Sequence, residues 1–421
     1  MIYDSNTNHC MRPATKNNLF ARTFFISIWI TLLILFFFQK GFAEPSKNKP
    51  ESNLQLRKGP YLIFDGNSSQ IKVLWQLYES STCTIQWGFD TSYSIGSVET
   101  KEYGNDHQHS CTIRNLKPRT KYYYNVIVKN KDYTGTFYSA PASTAKRAAF
   151  IVYGDTRSSP TTHNWIARSI ISSYTTDPSY QTFVLLTGDL VTYGADEFSW
   201  DKELFDSANI SIRQMMRDLP FLTVLGNHEV YKKTGSSYIK SNSNVFKKYF
   251  SYPFVWGTCW AFDYGPVHIV FLDQYLKYQY LKYTDFIQLM WLKRNLAATN
   301  KQWKFVILHK PGWSAGDKTA HPDDKVVKKS IQPILEKYKV TALFAAHNHF
   351  YSRALVNGIY HITTGGGGAP FVGIDKNLPH ILSAKRTHHY CKVEINDDVM
   401  KFLAVQPDGT IIDAFTAGAN H

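Results

Sequence analysis

Short runs of alternating apolar and polar residues mark the region from Gly59 to Ser143. The runs are QIKVLWQL, CTIQWGF, HSCTIRNL, TKYYYNVIV and GTFYSAP, and Gly, Asn, Asp and Pro separate them. Alternation with a period of two is typical of strands that bury one face, and closely spaced turns favour antiparallel neighbours. The pattern therefore predicts a small antiparallel β-sandwich in this part of the chain.

The pattern changes after Ala145 to apolar strands separated by longer segments of mixed character. The strands are AAFIVYGD, TFVLLTGD, PFLTVLGNHE, VHIVFLD, KFVILHK and VTALFAAHNH. One segment between them, TDFIQLMWLKRNLAAT, has apolar residues at helical spacing from Phe286 to Leu296. Buried strands that alternate with helices predict a layered α/β domain. Functional groups in such folds gather where the strands end.

An uncharged apolar run, FFISIWITLLILFFF, extends from Phe24 to Phe38. It is shorter than the roughly 20 residues that a bilayer-spanning helix needs, and it suits the core of a signal peptide. We therefore expect residues 1–43 to be a signal peptide or a retained membrane anchor, and residues 44–54 to be a linker. The protein is then exported, and is periplasmic, secreted or associated with the cell envelope.

The cysteine content and the net charge of the chain bear on its environment and its partners. An exported chain keeps Cys83, Cys111, Cys259 and Cys391 in an oxidising compartment. Two disulfides, one in each predicted domain, and four buried free thiols are both compatible with the spacing. The net charge of +14 favours anionic substrates or membranes. No basic stripe with interleaved aromatic residues indicates a specific nucleic-acid site.

Nearly every strand of the predicted α/β domain ends in a side chain that can bind a metal ion. Carboxylate, amide and imidazole groups together form a mixed hard and borderline set, which suits divalent iron, zinc or manganese. Chance explains one such residue after a strand, but not an ordered series. The residues are Asp155 in YGDTR, Asp189 in TGDLVTYG, Asn227 and His228 in LGNHE, His309 in VILHK, and His347 and His349 in FAAHNH.

This ordered series resembles the calcineurin-like metallophosphoesterase superfamily, and the sandwich in front makes the chain similar to its purple acid phosphatase branch. The stretch NLKPRTKYYYNVIV looks like the turn and tyrosine-rich strand of a fibronectin type III domain. The resemblance implies a fibronectin type III-like domain over residues 55–145. Over residues 146–421 it implies an α/β, four-layer metallophosphoesterase sandwich, in which helices flank two β-sheets.

The resemblance also implies a dinuclear metal centre with two ions of iron, zinc or manganese. A carboxylate shared between the ions would offset their mutual repulsion. The implied ligands are Asp155 and His349 for the first metal, Asp189 as the bridge, and Asn227, His309 and His347 for the second metal.

The implied reaction is hydrolysis of a small-molecule phosphate ester by metal-bound hydroxide. His228 would hydrogen-bond the phosphoryl group or protonate the departing alkoxide, with Glu229 orienting it. A phosphomonoester is the expected substrate, as for an acid phosphatase. A phosphodiesterase or nucleotidase with the same metal site is the alternative among enzymes. The alternative that is not an enzyme is a surface binding or adhesion protein with an inactive phosphoesterase fold.

The chain departs from the purple acid phosphatase pattern at two positions. Thr192 stands where that branch has a tyrosine ligand, three residues after the bridging Asp. Tyr193 is displaced by one residue, so that on an extended segment its side chain faces the opposite way, and we expect it to serve packing. Arg157 stays protonated and cannot be an ordinary ligand. We expect it to bind phosphate oxygens or to pair with a neighbouring carboxylate.

Three further features lie near the predicted site in sequence. His321, in the loop HKPGWSAGDKTAHPDD, is expected to help bind phosphate, the alternative being a surface-loop histidine. The glycine run TTGGGGAP lacks the lysine of a P-loop and is expected to permit close backbone approach beneath the site. His388 and His389 are expected to be exposed.

Overall fold

The computed structural model describes residues 56–275 and 284–419, which all belong to one compact unit. The predicted signal or anchor segment, residues 1–43, and the predicted linker, residues 44–54, lie outside the described residues. None of the helices in the described part of the chain combines the length and the apolar character that a bilayer crossing requires.

Two antiparallel sheets form the amino-terminal part of the structure. One has the strand order β1-β2-β5 and the other the order β4-β3-β6-β7. The five strands that the alternating pattern predicted are all present, and β1 and β4 are additional. The strands are β1 (Leu56–Ile63), β2 (Ile71–Leu77), β3 (Cys83–Gly88), β4 (Gly96–Thr100), β5 (Gln108–Ile113), β6 (Lys121–Val128) and β7 (Lys131–Tyr138).

Both of these sheets contribute fully buried side chains to the apolar core. Val73 and Trp75 come from β2, Ile85 from β3, and Tyr124 and Val126 from β6. The residues named on β2 and on β6 are two positions apart and so lie on one face of each strand, because successive side chains of a strand point to opposite faces; β2 is also buried on its other face, at Leu74. The core therefore follows directly from the alternation in the sequence.

Two larger sheets build the second part of the structure. The six-stranded sheet has the order β10-β9-β8-β20-β21-β22, and the seven-stranded sheet has the order β13-β14-β15-β16-β18-β17-β19. A hairpin, β11-β12, stands apart from both. The strands are β8 (Arg147–Tyr153), β9 (Val184–Leu186), β10 (Phe221–Thr223), β11 (Tyr231–Thr234), β12 (Ser237–Lys240), β13 (Trp260–Tyr264), β14 (Val267–Phe271), β15 (Trp303–Ile307), β16 (Ala342–Ala345), β17 (Tyr351–Val356), β18 (Ile359–Thr364), β19 (Ile381–Lys385), β20 (Tyr390–Asn396), β21 (Val399–Val405) and β22 (Ile411–Gly418).

Aromatic side chains join the two larger sheets. The ring centroids of Phe150 in β8 and Phe305 in β15 lie 5.5 Å apart, and those of Phe344 in β16 and Phe402 in β21 lie 6.5 Å apart. In the first sheet β8, β9 and β10 run parallel, as do β14, β15, β16 and β18 in the second. Parallel strands deliver their carboxyl ends to one edge of a sheet, and the predicted ligands follow these strands.

Helices cover the outer faces of both larger sheets. Leu292 and Leu296 of α5 and Leu335 of α6 pack against Val306 and Leu343 of the seven-stranded sheet. The helix predicted from the TDFIQLMWLKRNLAAT segment is thus present as α5. The helices are α1 (Pro160–Thr176), α2 (Glu197–Ser199), α3 (Ile210–Asp218), α4 (Asn244–Tyr249), α5 (Thr284–Ala298) and α6 (Gln332–Lys337), with 3₁₀ turns at Pro178–Tyr180 and His228–Val230 and wider π-helical turns at Trp200–Leu204 and Val327–Ile331.

Helix α1 is attached to the six-stranded sheet through polar side chains. The Tyr153 hydroxyl of β8 lies 2.8 Å from His163 Nε2, and the Tyr390 hydroxyl of β20 lies 2.8 Å from Ser173 Oγ. Ser159 caps the helix by accepting a hydrogen bond from the Thr162 N–H, and Pro160 occupies the first helical position. The result is a mixed α/β fold with helices on the outer faces of two sheets.

The structure corrects one exposure prediction and decides between the two states of the cysteines. His389 is fully buried beneath the glycine run, where a Cβ at Gly366 would collide with its imidazole ring. His388 is half-buried, with Nδ1 3.0 Å from the Gly366 carbonyl oxygen. Both were expected to be exposed, and His389 is buried because glycine leaves room for its ring. The four cysteines in the described residues are free thiols, and only Cys111 is not fully buried.

Candidate metal centre

Three of the predicted ligands have an unusual backbone conformation. Asp155 follows β8, Asp189 follows β9 and His347 follows β16, with φ angles of 55°, 57° and 65°. Left-handed backbone is uncommon for residues other than glycine and costs on the order of 1–3 kcal/mol at each such residue. Such strain persists where surrounding contacts impose it, and it clusters at functional sites. The three turns aim the side chains back towards the space between the sheets.

Glycines allow these turns to approach one another closely. A Cβ at Gly226 would collide with the Asp189 carboxylate. A Cβ at Gly365 would collide with Asp155 Oδ2 and with the Asn348 carbonyl oxygen. The prediction that the glycine run serves close backbone approach is confirmed by these contacts.

Four of the six predicted ligands surround one point. Asp189 Oδ2 lies 3.5 Å from His309 Nε2, and Asn227 Oδ1 lies 3.2 Å from the same nitrogen. His347 Nδ1 is also 3.2 Å from His309 Nε2. Ligand atoms of Asp189, His309 and His347 all lie within 4.8 Å of one another, a spacing that a single metal ion can bridge.

Backbone carbonyl groups orient two of the histidine rings. His309 Nδ1 lies 2.7 Å from the Thr187 carbonyl oxygen, and His349 Nδ1 lies 2.5 Å from that of Pro370. A carbonyl oxygen only accepts, so Nδ1 of each ring carries a proton, and Nε2 is the nitrogen that faces the site. Metal-binding histidines commonly donate their second ring N–H to a backbone carbonyl in this way.

Asp155 has a buried carboxyl group whose hydrogen-bonding capacity is unsatisfied. It is fully buried, and neither carboxylate oxygen has a hydrogen-bond partner among the described residues. Its nearest basic neighbour is His349, with 3.9 Å between Oδ1 and Nε2. Burial raises the pKa of the Asp155 carboxyl well above its usual value. A cation held between Asp155, His349 and Asp189 would satisfy these oxygens, so the residues fit a metal ion here.

The remaining pKa shifts describe one cluster of interacting charges. Burial alone would raise the pKa of Asp189, but His309 and His228 hold it well below its usual value. Burial would lower the pKa of His309, and Asp189 raises it to about 9. Burial lowers the pKa of His347 strongly and that of His349 to about 4. Asp189 is thus the carboxylate that carries the negative charge of the cluster.

His228 lies beside this cluster, with its Nε2 facing the site. Its Nδ1 donates a hydrogen bond to the Thr192 carbonyl oxygen at 2.7 Å, and its Nε2 is 3.9 Å from Asp189 Oδ2. The side chain is 15% exposed, so Nε2 is accessible to a bound substrate. Burial lowers the pKa of His228 despite the attraction of Asp189.

Glu229 does not orient His228, contrary to expectation. Its side chain is fully buried and accepts the backbone N–H groups of Gly226, Asp189 and Leu190 at 2.6, 2.8 and 2.7 Å. Burial together with the Asp189 charge raises the pKa of Glu229 to about 7. Glu229 therefore fixes the turn that presents Asp189, and the Thr192 carbonyl orients His228.

Arg157 enters the site from the turn that follows Asp155. Its Nε donates to Asp189 Oδ2 at 3.4 Å, and its Nη2 lies 3.4 Å from His349 Nε2. The side chain is 14% exposed. Both expectations for Arg157 are compatible with this position, because the guanidinium pairs with a carboxylate and also faces the open side of the cluster.

His321 lies at the site as well, although it is in a loop. Its ring stacks on that of His347 with a centroid distance of 4.2 Å and an interplanar angle of 24°. Asn348 fixes this arrangement, since Oδ1 accepts the His321 N–H at 2.9 Å and Nδ2 donates to the His321 carbonyl at 3.0 Å. Sequence reasoning overlooked Asn348, whose position between two predicted ligands was the available signal.

The segment that contains Thr192 and Tyr193 does not present a tyrosine side chain to the predicted ligands. Thr192 donates through its N–H and hydroxyl to Glu203, and its hydroxyl lies 3.2 Å from Ser158 Oγ. Tyr193 is half-buried, and within the described residues its side chain has no hydrogen bond to a predicted ligand.

A second overlooked residue, Gln274, accepts the N–H of His309 at 2.9 Å and so fixes the start of the loop after β15.

Sequence comparison gives the same class of domain. A family model of calcineurin-like phosphoesterases matches residues 148–351. The chain is 27% identical over 276 residues to a purple acid phosphatase of Glycine max, which covers 62% of this chain and 56% of the relative. It is 24% identical over 282 residues to Fe(3+)-Zn(2+) purple acid phosphatase 12 of Arabidopsis thaliana, covering 65% and 58%. The chain thus spans less than two thirds of the length of these relatives.

Comparison with solved structures supports the fold. The purple acid phosphatase PPD1 from yellow lupin (Lupinus luteus) seeds matches with a TM-score of 0.70 at 17% identity, covering 86% of this chain and 75% of that one. The chain therefore contains a calcineurin-like metallophosphoesterase domain and has purple acid phosphatase relatives. The predicted mixed α/β fold is confirmed, and the match of residues 148–351 to calcineurin-like phosphoesterases agrees with the predicted class of domain.

Proposed function

We propose that this protein is an exported, metal-dependent phosphohydrolase that acts on small phosphomonoesters. The observation that carries the proposal is the convergence of Asp155, Asp189 and His309 with three further ligand-type side chains at one edge of two facing sheets. All of these groups except the half-buried Asn227 are buried, and the carboxylate oxygens of Asp155 have no hydrogen-bond partner among the described residues. Export rests on the apolar run of residues 24–38, and the strand order of the amino-terminal sheets supports a fibronectin type III-like domain.

Two metal ions are the proposed cofactors. Asp155 and His349 would hold the first ion, and Asn227, His309 and His347 the second, with Asp189 shared. The relative with an Fe(3+)-Zn(2+) centre and the mixed donor set support iron, zinc or manganese. When bound, such ions supply Lewis acidity, which activates water and neutralises charge on a phosphoryl group.

The residues of the chain supply orientation and proton transfer. His228 presents Nε2 to the open side of the cluster, where the imidazolium form of the ring can donate a proton to the leaving oxygen of the ester. Arg157 offers guanidinium N–H groups to the phosphoryl oxygens, and His321 closes the pocket beside His347. Thr192 in place of the tyrosine ligand leaves no phenolate at the first ion, so we expect no strong visible absorption band.

The purified, metal-loaded protein assayed with p-nitrophenyl phosphate and with bis(p-nitrophenyl) phosphate tests the proposal. Faster hydrolysis of the monoester is expected, with loss on chelation and recovery on adding metal back. Faster hydrolysis of the bis-ester would instead assign a phosphodiesterase. No hydrolysis of either ester by protein with a measured metal content would favour a binding protein with an inactive fold.

A further inference from the structure

Glu203 joins the two turns that carry the functional groups. It lies on the π-helical turn Trp200–Leu204, and Oε2 accepts the Ser158 N–H at 2.8 Å. The same oxygen accepts the Thr192 N–H and hydroxyl, both at 3.0 Å. One carboxylate thus receives three hydrogen bonds from loops that are separate in sequence. Sequence reasoning gave Glu203 no role, because no strand precedes it.

Each residue that Glu203 binds is next to, or bonded to, a group that faces the site. Thr192 accepts the Nδ1 proton of His228 through its carbonyl oxygen at 2.7 Å. Ser158 directly follows Arg157, and Arg157 Nη1 donates to Ser158 Oγ at 3.2 Å. Movement of the Glu203 carboxylate would therefore displace both the His228 ring and the Arg157 turn.

The segment that carries Glu203 is itself held by the amino-terminal sheets. Asp201, two residues earlier, pairs with Lys58 Nζ at 2.5 Å and with Arg57 Nη2 at 2.8 Å. Glu197 pairs with Lys58 at 3.3 Å and with Lys248. Lys58 is fully buried in β1. The segment that carries Glu203 is thus held by partly buried ion pairs to a different part of the fold.

We propose that Glu203 is a positioning residue that holds the Thr192 carbonyl, and through it the His228 ring, in the orientation for proton donation to the leaving group. The proposal rests on the proposed function. A carboxylate that merely tied two loops together would affect all substrates alike. A carboxylate that positions a proton donor affects most strongly those substrates whose leaving group needs the proton.

The test compares Glu203→Gln with the wild type on two monoesters. p-Nitrophenyl phosphate has a good leaving group, and β-glycerophosphate has an alkoxide leaving group that must be protonated. We expect kcat to fall about tenfold on β-glycerophosphate and about twofold on p-nitrophenyl phosphate, because general acid catalysis contributes most where the leaving group is basic. KM should change by the same small factor for both esters, since any shift of the Arg157 turn acts on the phosphoryl group that the two esters share.

A double-mutant cycle with His228→Asn provides a second readout. If Glu203 acts through His228, Glu203→Gln should have almost no further effect on kcat in the His228→Asn background. Glu203→Asp keeps the charge, but its side chain is too short to reach all three donors. We expect kcat to fall more on β-glycerophosphate than on p-nitrophenyl phosphate in this variant too, with smaller losses than in Glu203→Gln. Lys202→Ala is the matched control, because Lys202 is 59% exposed on the same turn and, within the described residues, its ion pair is with Asp206.

Metal content and thermal stability are measured for every variant. Equal losses on both esters, or losses that multiply with those of His228→Asn, would overturn the positioning role. Either glutamate variant alone decides the matter if the other does not fold. A wild-type protein that is metal-loaded and yet hydrolyses neither ester would overturn the proposed function instead.

Discussion

Two clusters of charged side chains in this protein, one partly buried and the other buried at Asp155 and Asp189, contrast in how completely they are paired. At the junction between the amino-terminal sheets and the second part, three basic and three acidic side chains lie in contact: Arg57, Lys58, Lys248, Asp106, Glu197 and Asp201. Each has an opposite charge within 4 Å. At the candidate metal centre, by contrast, Asp155 is fully buried, and within the described part of the chain both its oxygens lack a hydrogen-bond donor.

The difference in pairing distinguishes a cluster whose charges compensate one another from a cluster that fits a bound cation. A buried charge is tolerated when an opposite charge and hydrogen bonds compensate for the lost water. The junction supplies that compensation from its own side chains, so it needs no ligand. The metal centre lacks it at Asp155 and gathers imidazole lone pairs beside it, which is the arrangement expected where a cation completes the structure.

The strongest test of this contrast removes the shared carboxylate. We expect Asp189→Asn to lower kcat/KM on p-nitrophenyl phosphate by at least about a thousandfold, which corresponds to about 4 kcal/mol of transition-state stabilisation. The same variant should bind less metal by elemental analysis and yet remain folded in chelator. Asp408→Asn, at a fully exposed loop carboxylate, is the control. Wild-type turnover in the Asp189 variant would remove the basis for the metal centre.

The junction is tested by removing one of its cations. We expect Lys58→Met to lower the free energy of unfolding by about 3 kcal/mol, because it leaves Glu197 and Asp201 with one fewer buried partner. Urea unfolding measures the change, and Lys202→Met on the exposed side of the same region should alter stability by less than about 0.5 kcal/mol. An unchanged or increased stability would show that these pairs are dispensable, as apolar replacements of buried ion pairs sometimes are.

The two clusters also differ in how far the sequence predicts them. Each metal-ligand candidate directly follows an apolar strand, so Asp189 and His309 could be identified from local pattern and their order along the chain. Lys58 could not, because its partners Glu197 and Asp201 are far away in sequence and the segment LRKGPYL has no local signal for a buried cation.

Contacts made by backbone groups were the other part that the sequence did not reveal. The acceptor for His228 is the Thr192 carbonyl, and a carbonyl has no residue type to recognise. His389 is buried because Gly366 lacks a Cβ, a fact that depends on where β20 pairs with β8. The ligand set therefore follows from residue types, whereas the orientation of the ligands follows from tertiary contacts.

A smaller effect is expected from crowding the unpaired carboxylate. Gly365→Ala places a methyl group against Asp155 Oδ2 and the Asn348 carbonyl, so Asp155 must turn away from its present position. We expect metal affinity to fall up to about a hundredfold, in the range found when groups that orient ligands are altered, with titration calorimetry as the measurement. Gly418→Ala, where nothing lies within 4 Å of the new Cβ, should leave affinity unchanged. Equal affinity in both variants would contradict the close packing at Asp155.

The last prediction concerns His389, a buried group that is neutral in the fold. His389 is neutral in the fold, since burial lowers its pKa from 6.5 to about 4. Its contribution to stability is fully present above pH 6.5 and is lost as the pH falls towards 4, because the unfolded chain then binds a proton that the folded chain does not. The loss amounts to at most about 3 kcal/mol. His389→Gln can still donate to the Thr387 carbonyl and accept from the Thr364 hydroxyl, and it should flatten this part of the pH profile of urea unfolding. Parallel profiles for the two proteins would mean that His389 is protonated in the folded state. The fold would then contain a third site of buried charge, at His389, besides the junction and the candidate metal centre.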